Sequence, residues 1–234
     1  EACLLASESA HIVDVECLEK GLHDMGKEKM LIRLQEKINT IDTRDYEAIL
    51  LGYARCNDGV AGLRAPEIPL IIPRAHDCIT FFFGSKEAYE KYFFSHPGSY
   101  FRTTGWTERG GYHPDDPSST VMGQLGLDRT YQEYVAKYGE ENAQYILQTL
   151  GAWQDNYQRI TYIDMGLPLD PEYAELARRE AADRKLSFEQ IPGDLRLLRM
   201  MLSGDWPEED FLTVPPKWQV ASENDGRILV AVSA

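Results

Sequence analysis

Apolar positions recur along this chain with two different spacings. In "KEKMLIRLQEKINTI", Met30, Leu34 and Ile38 fall four apart and Leu31 three before Leu34, one face of a helix. "YEAILLGYARC" and "IPLIIPRAHDC" are apolar runs closed by polar residues, and they predict buried strands that end in loops. "GVAGLRAPE" connects them, and "LLASESAHIVDVECL" before them reads as strand, turn, strand. "GSKEAYEKYFFSH" predicts a helix with Ser85 as N-cap and Glu87 in its first turn, and "GSYFRTTGW" a strand ending at Trp106. Residues 107–128, rich in Gly, Pro, Asp and Ser, read as a long connection. "DRTYQEYVAKYGEENAQYILQTLGAWQDNYQ" reads as a long helical region broken near Gly139.

A second run of alternating elements follows. "RITYIDM" is a strand, "DPEYAELARREAADRK" a helix with Pro171 in its first turn, and "LSFEQIP" a strand. "GDLRLLRMMLSG" is a helix that closes at Gly204, and "DFLTVPP" and "GRILVAVS" are the last strands. Strands alternating with helices predict an α/β fold of two Rossmann-like lobes with mostly parallel sheets and a long connecting helical segment. The expected division is an N-terminal lobe at 1–128 carrying the site, a helical segment at 129–158 and a C-terminal lobe at 159–234. In such folds ligands sit past the carboxyl ends of strands or between lobes.

Composition narrows the function. With 234 residues and 43% apolar content the chain can build a sizeable core. A net charge of −14 argues against nucleic acid, whose phosphates need clustered Lys and Arg. No apolar run reaches the length of about 18 residues that a membrane span needs, and the start "EACLLASESAHIVDVECLEKG" lacks the pattern of a signal peptide. It begins without Met, as a chain that has lost preceding residues would. A cytoplasmic location is expected, where four Cys are thiols or ligands rather than disulfides.

Three of those Cys carry the candidate chemistry. Cys3, Cys56 and Cys78 fall at or near the ends of predicted strands, and His76 stands two before Cys78. In extended chain His76 and Cys78 point to one side, and parallel strands would bring Cys56 beside them. Cys3 or His23 could complete four ligands. Zinc accepts such a set, with sulfur at about 2.3 Å and imidazole nitrogen at about 2.0–2.1 Å. Copper(I) or iron would accept the sulfurs too. The bland alternative is that Cys is a common core residue, which is the expectation for Cys17. His11, His96 and His113 read as loop histidines. Tyr53, Arg102 and Trp106 are expected to shape a substrate pocket, with Thr103 nearby. Asp194 is either an ordinary helix cap or part of an amide cradle.

The segments "ACLLASE", "GLHDM", "LQEKI", "ILLGYARC", "PRAHDCITFFFGS", "PGSYFRTTGW" and "GDLRLLRMMLSGDWPEEDFLTVPP" resemble, in order, the family catalogued as domain of unknown function 1638. The family's Cys, Leu-His, Gly-Tyr-x-x-Cys and His-Asp-Cys fall on Cys3, His23, Tyr53, Cys56, His76 and Cys78. The chain departs from the family pattern at "ACLL", "YARC" and "PPKWQ". The resemblance implies an association with corrinoid methyltransferase systems. It suits a zinc-thiolate protein of methyl or one-carbon transfer whose metal activates a small-molecule thiol against a methyl donor, with a corrinoid protein as partner. Two other readings are open. One is a binding or delivery protein for a corrinoid, another metallocofactor or a small metabolite. The other is a metal-free thiol enzyme with Cys78 as nucleophile and His76 beside it. A purely structural metal site is the plainest version.

Overall fold

The computed structural model describes residues 1–18, 21–22, 26–108, 131–140, 142–144 and 157–233. The chain forms two compact units. The outer unit joins Glu1–Tyr89 with Asp194–Ala234, and the middle unit is Glu90–Gly193. The division expected from the sequence follows chain order, whereas the outer unit is built from both ends of the chain.

In the outer unit, β1 (Ile49–Leu50), β2 (Leu70–Pro73) and β6 (Phe211–Val214) form one sheet in the order β1-β2-β6. β1 runs parallel to β2, and β6 runs antiparallel to it. β2 is buried along its length, as the unbroken run "LIIP" requires. Its side chains alternate between two cores. Leu70 and Ile72 pack with Met30, Leu34 and Ile38 of α2 (Lys27–Asn39), whose helical stripe is as expected. Ile71 faces the other way, with Phe81 of α3 (Ile79–Phe83) and Leu197 and Met201 of α8 (Arg196–Leu202). Each of these fully buried aliphatic side chains contributes about 1.5–3 kcal/mol by leaving water. β7 (Gln219–Ser222) and β8 (Leu229–Val232) make an antiparallel hairpin that closes the first core.

The middle unit has a three-stranded sheet, order β3-β4-β5, of β3 (Ser99–Arg102), β4 (Arg159–Asp164) and β5 (Ser187–Pro192). Its strands are all parallel. α7 (Asp170–Asp183) crosses from β4 to β5 and packs Ala174, Ala177 and Ala181 on Ile160 and Tyr162. The protein is therefore a mixed α/β chain in which parallel pairing predominates. No helix among the described residues is long and apolar enough to cross a membrane.

Several local expectations change. "ACLLASE" is not a strand but α1 (Ala2–Glu8). It lies against α8, where Glu8 pairs with Arg199 at 2.7 Å and Ser9 Oγ donates to Leu202 O at 2.7 Å. No strand forms among the described residues 9–18. The strand before Trp106 stops at Arg102, and Trp106 lies on α5 (Thr104–Glu108), its N–H donating to Thr103 Oγ1 at 3.2 Å. α4 (Lys86–Ser95) starts as expected, with Ser85 Oγ accepting the Ala88 N–H at 3.1 Å. α6 (Tyr131–Tyr138) ends at Gly139, which takes a φ of 80°. The expected connection beyond Glu108, and His113 within it, lie outside the described residues.

Candidate functional site

Two adjacent loops build the site. Beyond β1 and β2 the chains keep running side by side: Leu51 N–H donates to Ile71 O at 2.8 Å, Arg55 N–H to Ala75 O at 3.0 Å and Cys56 N–H to His76 O at 2.8 Å. Parallel pairing thus delivers "YARC" and "AHDC" to one sheet edge. The chain then bends. Cys78 is the helical N-cap of α3, with φ −69° and ψ −15°, so His76 and Cys78 are not neighbours on one side of an extended strand. The His76 side chain is exposed. The Cys78 thiol turns instead to Cys56 and shares a hydrogen bond with it.

That contact sets the electrostatics. The Cys78 thiol is pushed well above its usual range, first by the hydrogen bond with Cys56 and then by burial, with the Asp77 charge adding to it. This is the reverse of what a free nucleophilic Cys78 would need. Two phenols flank the sulfurs. Burial, with Cys56, Cys78 and Cys17 beside it, pushes Tyr53 up to about 12. Tyr89 is raised by burial and by donating its hydroxyl to Asp77 Oδ2, with Cys78 and Cys56 nearby. Both therefore remain neutral O–H groups at pH 7.

The backbone at this edge is held in an uncommon shape. Cys56 has φ 43° and Asp58 φ 69°, left-handed values that cost an L-residue roughly 1–2 kcal/mol. Asp58 ties the turn down. Its carboxylate accepts from Lys27 at 2.8 Å, from Arg55 Nε at 3.0 Å and from Ser222 Oγ. Burial opposes ionisation there, but these three donors hold the group at about 2.

The other expected site residues are placed as follows. Cys3 is exposed on α1, and His23 lies outside the described residues. Cys17, expected in the core, is exposed instead, because the segment carrying it is not a buried strand. Among the described residues no group of three or more His, Cys, Asp and Glu side chains is placed to hold a metal ion. Asp194 Oδ1 caps the Arg196 N–H at 2.8 Å, the ordinary helix-start role. Arg102 and Trp106 belong to the middle unit. Arg102 is buried and forked onto Glu180, Nε to Oε2 at 2.8 Å and Nη2 to Oε1 at 2.6 Å. Asp77 and Tyr89 were not singled out beforehand. Asp77 left a signal, since an Asp just before the run "ITFFF" is a helix-start signature, and its Oδ1 does accept the Ile79 N–H at 2.9 Å.

A family model described as "Protein of unknown function (DUF1638)" matches residues 17–202. The chain belongs to that family. No curated protein and no solved structure matches it. The DUF1638 match spans both loops of the thiol site and the whole middle unit. The DUF1638 description names no reaction, and a family alone does not supply one.

Proposed function

We propose that the chain acts through the Cys56–Cys78 pair as a sulfur-centred group-transfer protein, with Cys56 the reacting sulfur and Cys78 its proton-holding partner. The observation that carries this is the hydrogen bond between the two thiols at the end of adjacent parallel strands. A buried thiol that keeps its proton donates it to its neighbour and lowers the cost of negative charge there. Cys56 then attacks an electrophilic carbon, a sulfur–carbon bond forms, and the leaving group departs with the bonding electrons. Methyl or one-carbon donors are the group class that the family resemblance implies. Neutral Tyr53 supplies an O–H donor for the developing charge of the leaving group, while the Tyr89 O–H stays committed to Asp77.

Iodoacetamide labelling against pH, read cysteine by cysteine from peptide masses, tests the assignment. Cys56 should label faster than Cys78 near neutral pH. Cys78→Ala should slow Cys56 by about tenfold, the effect of losing a hydrogen bond of about 1.5 kcal/mol to a charged group. Equal rates at the two sulfurs, or a Cys56 rate that ignores Cys78→Ala, would sink the reading.

A zinc-thiolate reading is favoured by one observation, that two soft donors already touch. Two sulfurs fall short of the three or four ligands zinc takes, and His23 would have to join them. Elemental analysis of protein purified without oxygen decides it: about one zinc per chain, lost in the Cys56→Ser/Cys78→Ser double variant. A corrinoid in the same sample would show a visible absorption band.

A further inference from the structure

We propose that Cys56 and Cys78 close into an intramolecular disulfide by exchange with a small-molecule disulfide of the oxidised-glutathione class, which switches the site off by two electrons. The inference rests on the thiol-pair reading of the site and adds its regulation. All four cysteines are reduced in this structure. Cys56 and Cys78 differ from Cys3 and Cys17 in being half-buried and in mutual contact, whereas the other two are exposed.

The backbone favours closure. A disulfide needs Cα atoms about 4.4–6.8 Å apart. Chains hydrogen-bonded as neighbouring strands lie about 4.7–4.9 Å apart, and the two loops keep that pairing as far as Cys56 N–H to His76 O. Cys78 follows within the same turn, and its thiol already reaches Cys56. On the other side, the turn after Cys56 is anchored by Asp58 to Lys27, Arg55 and Ser222. The sulfurs need only move from hydrogen-bond contact to about 2.05 Å.

The exchange balances without any metal. The Cys56 thiolate attacks one sulfur of the small disulfide, a mixed disulfide forms, and one small thiolate leaves. Cys78 gives up its proton and attacks the Cys56 sulfur. The Cys56–Cys78 bond forms and the second small thiolate leaves. Two electrons pass from the protein to the disulfide, and two small thiols are released per chain. Cys56 is then a disulfide sulfur and no longer the thiolate nucleophile that group transfer needs.

The test is titration of the reduced full chain with oxidised glutathione in the absence of oxygen, followed by peptide mapping. The expected result is a Cys56–Cys78 linked peptide, no glutathione retained at Cys56, and recovery of both thiols with a dithiol reductant. In Cys78→Ser the second attack is gone, so glutathione should accumulate on Cys56. That variant also shows whether the fold tolerates the change, through an unchanged circular dichroism spectrum. A wild-type protein that stops at a Cys56–glutathione adduct, or that links Cys17 to Cys56 instead, would overturn the inference. Its failure is separable from that of the proposed function. Fast Cys56 alkylation without a linked peptide leaves group transfer standing alone. A linked peptide with equal alkylation rates leaves only the switch.

Discussion

Two polar clusters of the middle unit and the thiol edge of the outer unit handle polarity in opposite ways. In the middle unit two buried polar clusters are closed on themselves. Arg102 and Glu180 form a two-point ion pair that also takes Arg184 at 2.9 Å. Asp170 accepts from Tyr162 at 2.8 Å, from Thr104, and from the Leu167 N–H at 2.6 Å. Within these two clusters each partner is matched in charge or hydrogen bonding, the arrangement that makes interior polarity tolerable, whereas Arg159 Nε on β4 is buried without a hydrogen-bond partner among the described residues. At the thiol edge of the outer unit the partners are alike. Two sulfurs share a hydrogen bond, two phenols lie near them, and the backbone is left-handed at Cys56 and Asp58. The first pattern is a device for holding a fold. The second sets titratable groups of one kind beside each other, which is where reactivity is found. The contrast also explains why Arg102, a good pocket candidate by residue type, is set inside the fold.

The largest expected effect tests the structural half of that contrast. Glu180→Ala leaves the Arg102 guanidinium uncompensated, with side chains that are only 6% and 4% exposed in the pair. Breaking a buried pair from one side costs about 3–5 kcal/mol. Urea unfolding should show that loss, while Cys56 in the native protein should alkylate at the wild-type rate. A loss below about 1 kcal/mol, the size of a surface pair, would show that Arg102 finds water and that this cluster is open to solvent.

The same contrast governs what was legible in the sequence. β4, α7, β5 and α8 were readable because each is a distinct periodic segment bounded by a Pro or Gly signal. α1 and α3 were not. "ACLLASE" is too short for its spacing to separate helix from strand, and "ITFFF" is β-branched and aromatic in composition. Packing decides both: α1 lies on α8, and Phe81 of α3 fills the second core. The hairpin strand β7 was missed because "QVAS" is four residues long with a single fully apolar anchor, Val220. At the site, the nearness of Cys56 and Cys78 was readable, since parallel strands bring their end loops together. The exposure of His76 was not, because it depends on a bend at the start of α3. Tyr89 was not readable either, because its contact with Asp77 joins two elements through a turn that the strand reading of "PRAHDC" concealed.

A smaller effect probes the reactive edge itself. Asp58→Asn keeps a residue type that tolerates a φ of 69° but removes the charge that Lys27 and Arg55 neutralise. The folded-state value of about 2 lies below the ordinary 3.8, so Asp58 stabilises the fold above pH 3.8 and that contribution is lost as pH falls from there to about 2. The carboxylate is 29% exposed, so solvent screening trims its worth. A loss on the order of 1–2 kcal/mol at pH 7 is expected. The variant should therefore approach the wild type as both are acidified, and the two stability curves should meet near pH 2. Parallel curves with a constant gap would mean that Asp58 acts through shape alone. In that case Cys56 would be held left-handed by its own loop, and the charge cluster would be incidental to the sulfur site.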